Sequence, residues 1–144
     1  MARVKVDIIM PKEGKGLEAA KVRKHRAIVA AVDAGALIIR GAALKMILHG
    51  PKTGRVYVRD GIAHQASSPG EAPANDTGTL ASSIQPDYAV DTTDRKETNV
   101  TARAEYAGFL EEGTSRMEKR PFMKRAFDEN KDKIMAMIRK AFKS

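Results

Sequence analysis

The stretch Tyr106–Phe127, YAGFLEEGTSRMEKRPFMKRAF, carries the instructions that decide the fold. Tyr106, Phe109 and Leu110 have the spacing of one buried face of a short helical turn. Gly113, directly after Glu111 and Glu112, is a helix-stop residue that tolerates positive φ. Thr114 and Ser115 can satisfy free backbone groups in the connection, and Glu118 stands three residues after Ser115, the spacing of a capping box. Pro121 suits the first turn of a new helix, where its missing N–H is no loss, and Phe122 is that helix's first apolar anchor. A short helix, a glycine stop and a second helix are expected in this order.

Downstream, Met123, Phe127, Ile134, Ile138 and Ala141 form one stripe of a C-terminal helix from Pro121 to about Phe142. Glu129 and Lys133 make a supporting i,i+4 pair, and Arg139, Lys140 and Lys143 favour the negative end of the helix dipole. The methionines, Met135 and Met137 among them, read as gap-filling core or adaptable interface.

Upstream, two strands are expected at Tyr88–Asp91 and Asn99–Glu105, separated by the polar turn DTTDRKE. Thr77 is placed to cap a short helix from Leu80 to Ile84. His64–Thr79 has almost no large apolar residue and is rich in Ser, Pro, Gly and Ala, so it reads as a long exposed loop. Arg55–Arg59 alternates polar and apolar and reads as a strand after a turn at Gly50, Pro51 and Gly54. From Leu17 to His49, Val22, Val29, Val32, Ala36, Ile39, Ala43 and Ile47 recur at steps of three, four and seven. That is a long amphipathic helix, with Gly35 and Gly41 as its candidate kink points, and its polar side carries Lys21, Lys24, Arg26, Arg40 and Lys45. Val4, Val6, Ile8 and Ile9 mark a short strand or ordered arm within residues 1–16.

The 144 residues suit one domain, 1–144, with a thin core that is mostly aliphatic, Ala and Met, because the chain has no Trp and only 5% aromatic residues. The sheet strands together with the long N-terminal and C-terminal helices predict an α+β fold on a small, mainly antiparallel sheet. No run approaches ~18 consecutive apolar residues, so neither a membrane partner nor a secretory route is expected. With no cysteine, disulfides, thiolate catalysis and Cys-ligated zinc are excluded.

Net charge is +8, unevenly spread. Residues 1–60 hold 13 Lys and Arg against 5 Asp and Glu, residues 61–100 hold 2 against 6, and residues 101–144 hold 11 against 7. Basic ends around an acidic middle suit either contact with DNA phosphates or opposite-sign surfaces meeting between subunits.

No catalytic constellation is recognisable in the sequence. His25, His49 and His64 lack metal-ligand spacing, and adjacent Glu111 and Glu112 point in different directions on a helix. GPKTGR lacks the Walker spacing, and the serines lack a nucleophile elbow. The chain is therefore read as having no enzymatic activity, no catalytic residue, no cofactor and no metal.

The order of an aromatic-Ala pair, an acidic Gly-Thr turn and Arg-Pro-Phe opening a helix resembles the head-tail connector family of long-tailed bacteriophages, the neck or tail-completion proteins. Tyr106, Ala107, Phe109, Leu110, Glu111, Gly113, Thr114, Arg120, Pro121 and Phe122 carry the resemblance. A second block, SSPGEAPANDTGTLASSI from Ser67 to Ile84, adds Pro69, Gly70, Pro73, Thr77, Gly78, Leu80 and Ile84. The resemblance implies a virion structural protein, assembled in the host cytoplasm, at the head-tail junction or upper tail. Its expected partners are further copies of itself in a hexameric ring, with a dodecamer as the alternative, and neighbouring neck, tail terminator or tail tube proteins. Genomic DNA would pass through the channel without sequence readout.

Within that reading, the expected interface or docking residues are Glu111, Glu112, Arg120, Phe122, Pro69, Gly70, Glu71, Pro73, Lys21, Lys24 and Arg26. The alternative is a non-specific DNA-binding protein using its basic helices.

Overall fold

The computed structural model describes residues 2–12, 18–74 and 78–143. Its elements are β1 (Ala2–Ile9), α1 (Glu18–His49), β2 (Val56–Arg59), β3 (Ile62–Gln65), α2 (Thr79–Ser83), β4 (Ile84–Asp91), β5 (Arg95–Ala102), α3 (Ala107–Glu112) and α4 (Met123–Lys143). The fold is α+β, with a long N-terminal and a C-terminal helix and small antiparallel sheets.

The main sheet has the order β1-β5-β4, both pairings antiparallel. The N-terminal segment, expected as a strand or an arm, is a full edge strand whose register runs from Ala2 opposite Ala102 to Ile9 opposite Arg95. Pro86 in β4 is tolerated because β4 is the other edge, and an irregularity between Asp87 and Val90 shifts its register.

Two expectations about the sheet are corrected. Arg55–Arg59 does not join it; Val56–Arg59 pairs with Ile62–Gln65 in a separate hairpin across Asp60 and Gly61, both at positive φ. The turn read over Asp91–Glu97 shrinks to Thr92–Asp94, and Arg95, Lys96 and Glu97 belong to β5, the central strand. Polar composition suggested a turn there, but pairing on both sides and cover from α1 bury the strand.

α1 is one uninterrupted helix, with no break at Gly35 or Gly41. Its buried stripe is Ile28, Val32, Gly35, Ala36, Ile39, Ala43 and Ile47, while Val22 is exposed. This stripe covers Val6, Ile84, Val100 and Ala102 of the sheet, and α4 closes over it through Met123, Ala126, Ile134 and Ile138. By length and mean hydropathy α1 is apolar enough to cross a membrane, which a count of consecutive apolar residues does not register. Here its two interior charges are tied to the sheet: Asp33 to Lys96 at 3.1 Å, and Arg40 to the Ile84 carbonyl at 2.9 Å.

The opposite face of the sheet is charged. Arg95 binds Asp7 through two bonds of 2.8 Å and reaches Glu97 at 2.7 Å, and Lys5 stands 3.3 Å from Glu97. Hydrogen bonding to Arg95 holds the Asp7 carboxyl below the usual carboxylate range.

Candidate interaction surface

The two sequence blocks that carry the resemblance meet in space. α3 ends at Gly113, at φ 80°, whose N–H returns to the Phe109 carbonyl at 2.7 Å. Thr114 and Met117 then bridge to each other, so the expected capping box of Ser115 and Glu118 is replaced by a tight turn. That turn brings the chain back along α3, and the Arg120 N–H donates to the Leu110 carbonyl at 2.6 Å.

Glu111 is now aimed at the start of α4. Its carboxylate accepts the backbone N–H groups of Phe122, Met123 and Lys124 at 2.9, 3.0 and 2.8 Å. Those are the donors a helix leaves unpaired in its first turn, and a negative charge suits that end of the dipole. Phe122 beside them is fully buried.

The loop after β3 is stapled to the same segment. Arg120 donates to the Ser67 carbonyl at 3.3 Å, Arg125 donates to the Gly70 carbonyl, and the Gly70 N–H reaches the Lys119 carbonyl at 3.1 Å. Glu71 accepts from the Thr53 N–H at 3.0 Å, from the Ser68 N–H at 2.9 Å and from the Thr53 hydroxyl. These bonds, led by the Thr53 hydroxyl, hold the Glu71 carboxyl below its ordinary range.

His64–Thr79 is thus not one exposed loop. His64 and Gln65 lie in β3, Thr79 opens α2, and Ser67, Ala72 and Pro73 are buried. Asn75, Asp76 and Thr77, the expected cap among them, lie outside the described residues.

Of the candidate residues, Glu111, Arg120, Phe122, Gly70, Glu71 and Pro73 gather in this one region, with Pro69 exposed beside them and Glu112 exposed on α3. Lys21, Lys24 and Arg26 belong to the first turns of α1, where Lys21 and Arg26 line a cavity with Met10, Pro11 and Asp94. Lys21 pairs there with Glu18 at 3.3 Å. The rise of a helix puts them roughly 35 Å from the other end of α1.

Sequence reasoning missed the hairpin. The signal was present, since Asp60-Gly61 between alternating apolar residues is a strong two-residue turn. Tyr57 and His64 stack across the hairpin, their rings 5.6 Å apart. With Arg59, Tyr57 lines a cavity of about 520 Å³ whose other walls include Leu80, Tyr106, Leu110 and Arg120. Val56 and Val58 alternate to the opposite side and are 59% and 71% exposed. Tyr106, just before α3, and Phe109 on it, both expected to be buried, are 42% and 59% exposed, and Ala107 packs inward in their place.

Among the described residues, no group of three or more His, Asp or Glu side chains could hold a metal ion. No family model matches the chain, no curated protein matches it, and no solved structure matches it.

Proposed function

We propose that this chain is a structural subunit of a long-tailed bacteriophage particle, forming a ring at the head-tail junction or the upper end of the tail. In this reading it takes part in tail completion and head-tail joining and catalyses nothing. The ring is a hexamer, with a dodecamer as the alternative, and it stacks on neck, tail terminator or tail tube proteins. DNA passes through it without sequence readout.

The observation that carries the reading is the uncovered apolar surface of the β2–β3 hairpin. A two-stranded ribbon is marginally stable in water unless one face is packed, yet nothing in the described chain covers Val56 and Val58. A subunit completed by its neighbours has this surface. The reading is also supported by the contact between the Ser67–Pro73 loop and residues 119–125, which joins the two resembling blocks into one unit.

The test is the solution mass by light scattering at low and high salt, with absorbance checked for nucleic acid. A DNA-free species of about six subunits that dissociates in salt is the expected result. A monomer that copurifies with nucleic acid would replace this reading with non-specific DNA binding.

A further inference from the structure

Helix α1 is apolar on the side that faces away from the sheet as well as on the side that covers it. Opposite its buried stripe, Ala30, Ala34, Leu37, Gly41, Leu44 and Leu48 recur at alternating steps of four and three, the 3.5-residue spacing of a helix–helix seam. Ala30, Leu37, Gly41 and Leu48 are exposed, and Ala34 and Leu44 are half-buried. A Cβ added at Gly41 would meet nothing within 4 Å. Between Ala30 and Leu48 the single charge on this side is Lys45, since Asp33 and Arg40 turn to the sheet. A surface helix ordinarily places its polar residues here, and one that is apolar all round is buried.

The four exposed positions, 30, 37, 41 and 48, are symmetric about residue 39, so the face complements itself in one orientation. Laid antiparallel on a second α1, Leu37 meets Gly41, Leu48 meets Ala30 and Leu44 meets Ala34. Each leucine then falls opposite a small residue, and the two axes can approach closely. A parallel pair in register would set leucine on leucine and leave gaps between alanines. It would also bring the exposed Arg23 and Arg26 beside their own copies, whereas the antiparallel pair holds the two Arg26 residues roughly 40 Å apart along the axis.

We propose that this face of α1 binds the same face of a second copy, antiparallel, about a two-fold axis at residue 39. The inference goes beyond the ring reading and uses a surface other than the hairpin. Because the contact is two-fold it closes on itself. Alone it gives a dimer of twice the 15.7 kDa chain mass, and added to a six-membered ring it joins two rings into twelve chains.

The absence of cysteine makes a clean test. Ala30→Cys and Leu48→Cys place single thiols at exposed positions, and each variant's fold is checked by circular dichroism. Under oxidised glutathione, a mixture of the two is expected to give 30–48 dimers at least roughly tenfold more abundant than 30–30 or 48–48 dimers. Like positions stand 18 residues apart along the paired helices, about 27 Å. Independently, Gly41→Leu enters open space in the single chain and replaces a poor helix former, so the unfolding midpoint of the dilute chain should hold or rise. Set against Leu37 of the second copy, the same leucine should raise the concentration for half-association by on the order of tenfold.

Like-position links in place of the 30–48 link overturn the antiparallel contact. A ring of six that forms without the 30–48 link overturns it and leaves the ring standing. Flotation of the chain with phosphatidylcholine vesicles, with the 30–48 link lost, makes lipid the cover of α1 and overturns it as well. A chain that stays monomeric to millimolar concentration overturns both this contact and the ring.

Discussion

Asp33, in the middle of α1, lies 3.1 Å from the ammonium of Lys96 on the central strand, whose side chain is only 2% exposed. Asp33 also accepts the Thr98 hydroxyl at 2.7 Å, and the Lys96 ammonium sits 5.4 Å from the centre of the Tyr88 ring. The pair locks the register of helix against sheet, but its two ends are unequal because only the cation is fully desolvated. Removing one partner of a buried pair strands the other's charge. Asp33→Ala should therefore cost about 3 kcal/mol, while Lys96→Met, which removes the charge and keeps an apolar stem, should cost about 1 kcal/mol. Urea unfolding of the two variants gives the order, and equal losses would mean that Asp33 is not what holds the lysine inside.

At Gly35 of α1, an added Cβ would stand 2.7 Å from Cγ2 of Ile134 on α4. Alanine is the better helix former by about 1 kcal/mol, so propensity alone favours Gly35→Ala. The branched Ile134 side chain has no free rotation with which to move aside, and overpacking costs about 1–3 kcal/mol. The substitution should lower the melting temperature, and Ile134→Ala in the same chain should recover part of that loss. Additive losses would show that the two side chains do not compete for one space.

What the sequence revealed followed its periodicity. The apolar steps from Val32 to Ile47 reproduce the face that α1 buries, those from Met123 to Ala141 the face of α4 except that Ala126 is buried and Phe127 only half-buried, and Gly113 stops α3 as its position implies. Burial that depends on pairing was not legible. Lys96, Glu97, Thr98 and Asn99 are as polar as a turn, and only their place between two strands buries them. Side-chain roles fixed by a return of the chain were equally hidden. No spacing rule connects Glu111 to the amides of residues 122–124, because the intervening turn, closed between Thr114 and Met117, sets that distance.

The Glu71 staple gives the fold an acid-sensitive joint. Its carboxyl is held below the ordinary glutamate range, so the charged form belongs to the folded state. The contribution is then complete above the unfolded value of about 4.3 and is lost as pH falls through the lower folded value. Asp7, lowered by Arg95, adds to the loss in the same direction. Thermal unfolding should show a melting temperature that drops below about pH 4, and Glu71→Gln should flatten that slope while lowering stability at neutral pH. An unchanged slope would remove Glu71 from the acid transition.

Glu111 and Glu112 are neighbours in sequence with different work to do, and their variants separate folding from assembly. Glu111→Ala frees three amides at the start of α4 and should cost about 1–2 kcal/mol. That loss appears in the dilute chain and does not depend on protein concentration. Glu112 is exposed, with no hydrogen bond or ion pair within the described chain, so Glu112→Ala should change the unfolding free energy by less than about 0.5 kcal/mol. Its effect is expected only on the concentration at which subunits associate. Hydrogen exchange supplies the local readout, since the amides of Phe122, Met123 and Lys124 should exchange faster in Glu111→Ala and unchanged in Glu112→Ala. Equal protection in both variants would mean that the start of α4 is held by Phe122 and Met123 packing alone, with the carboxylate incidental.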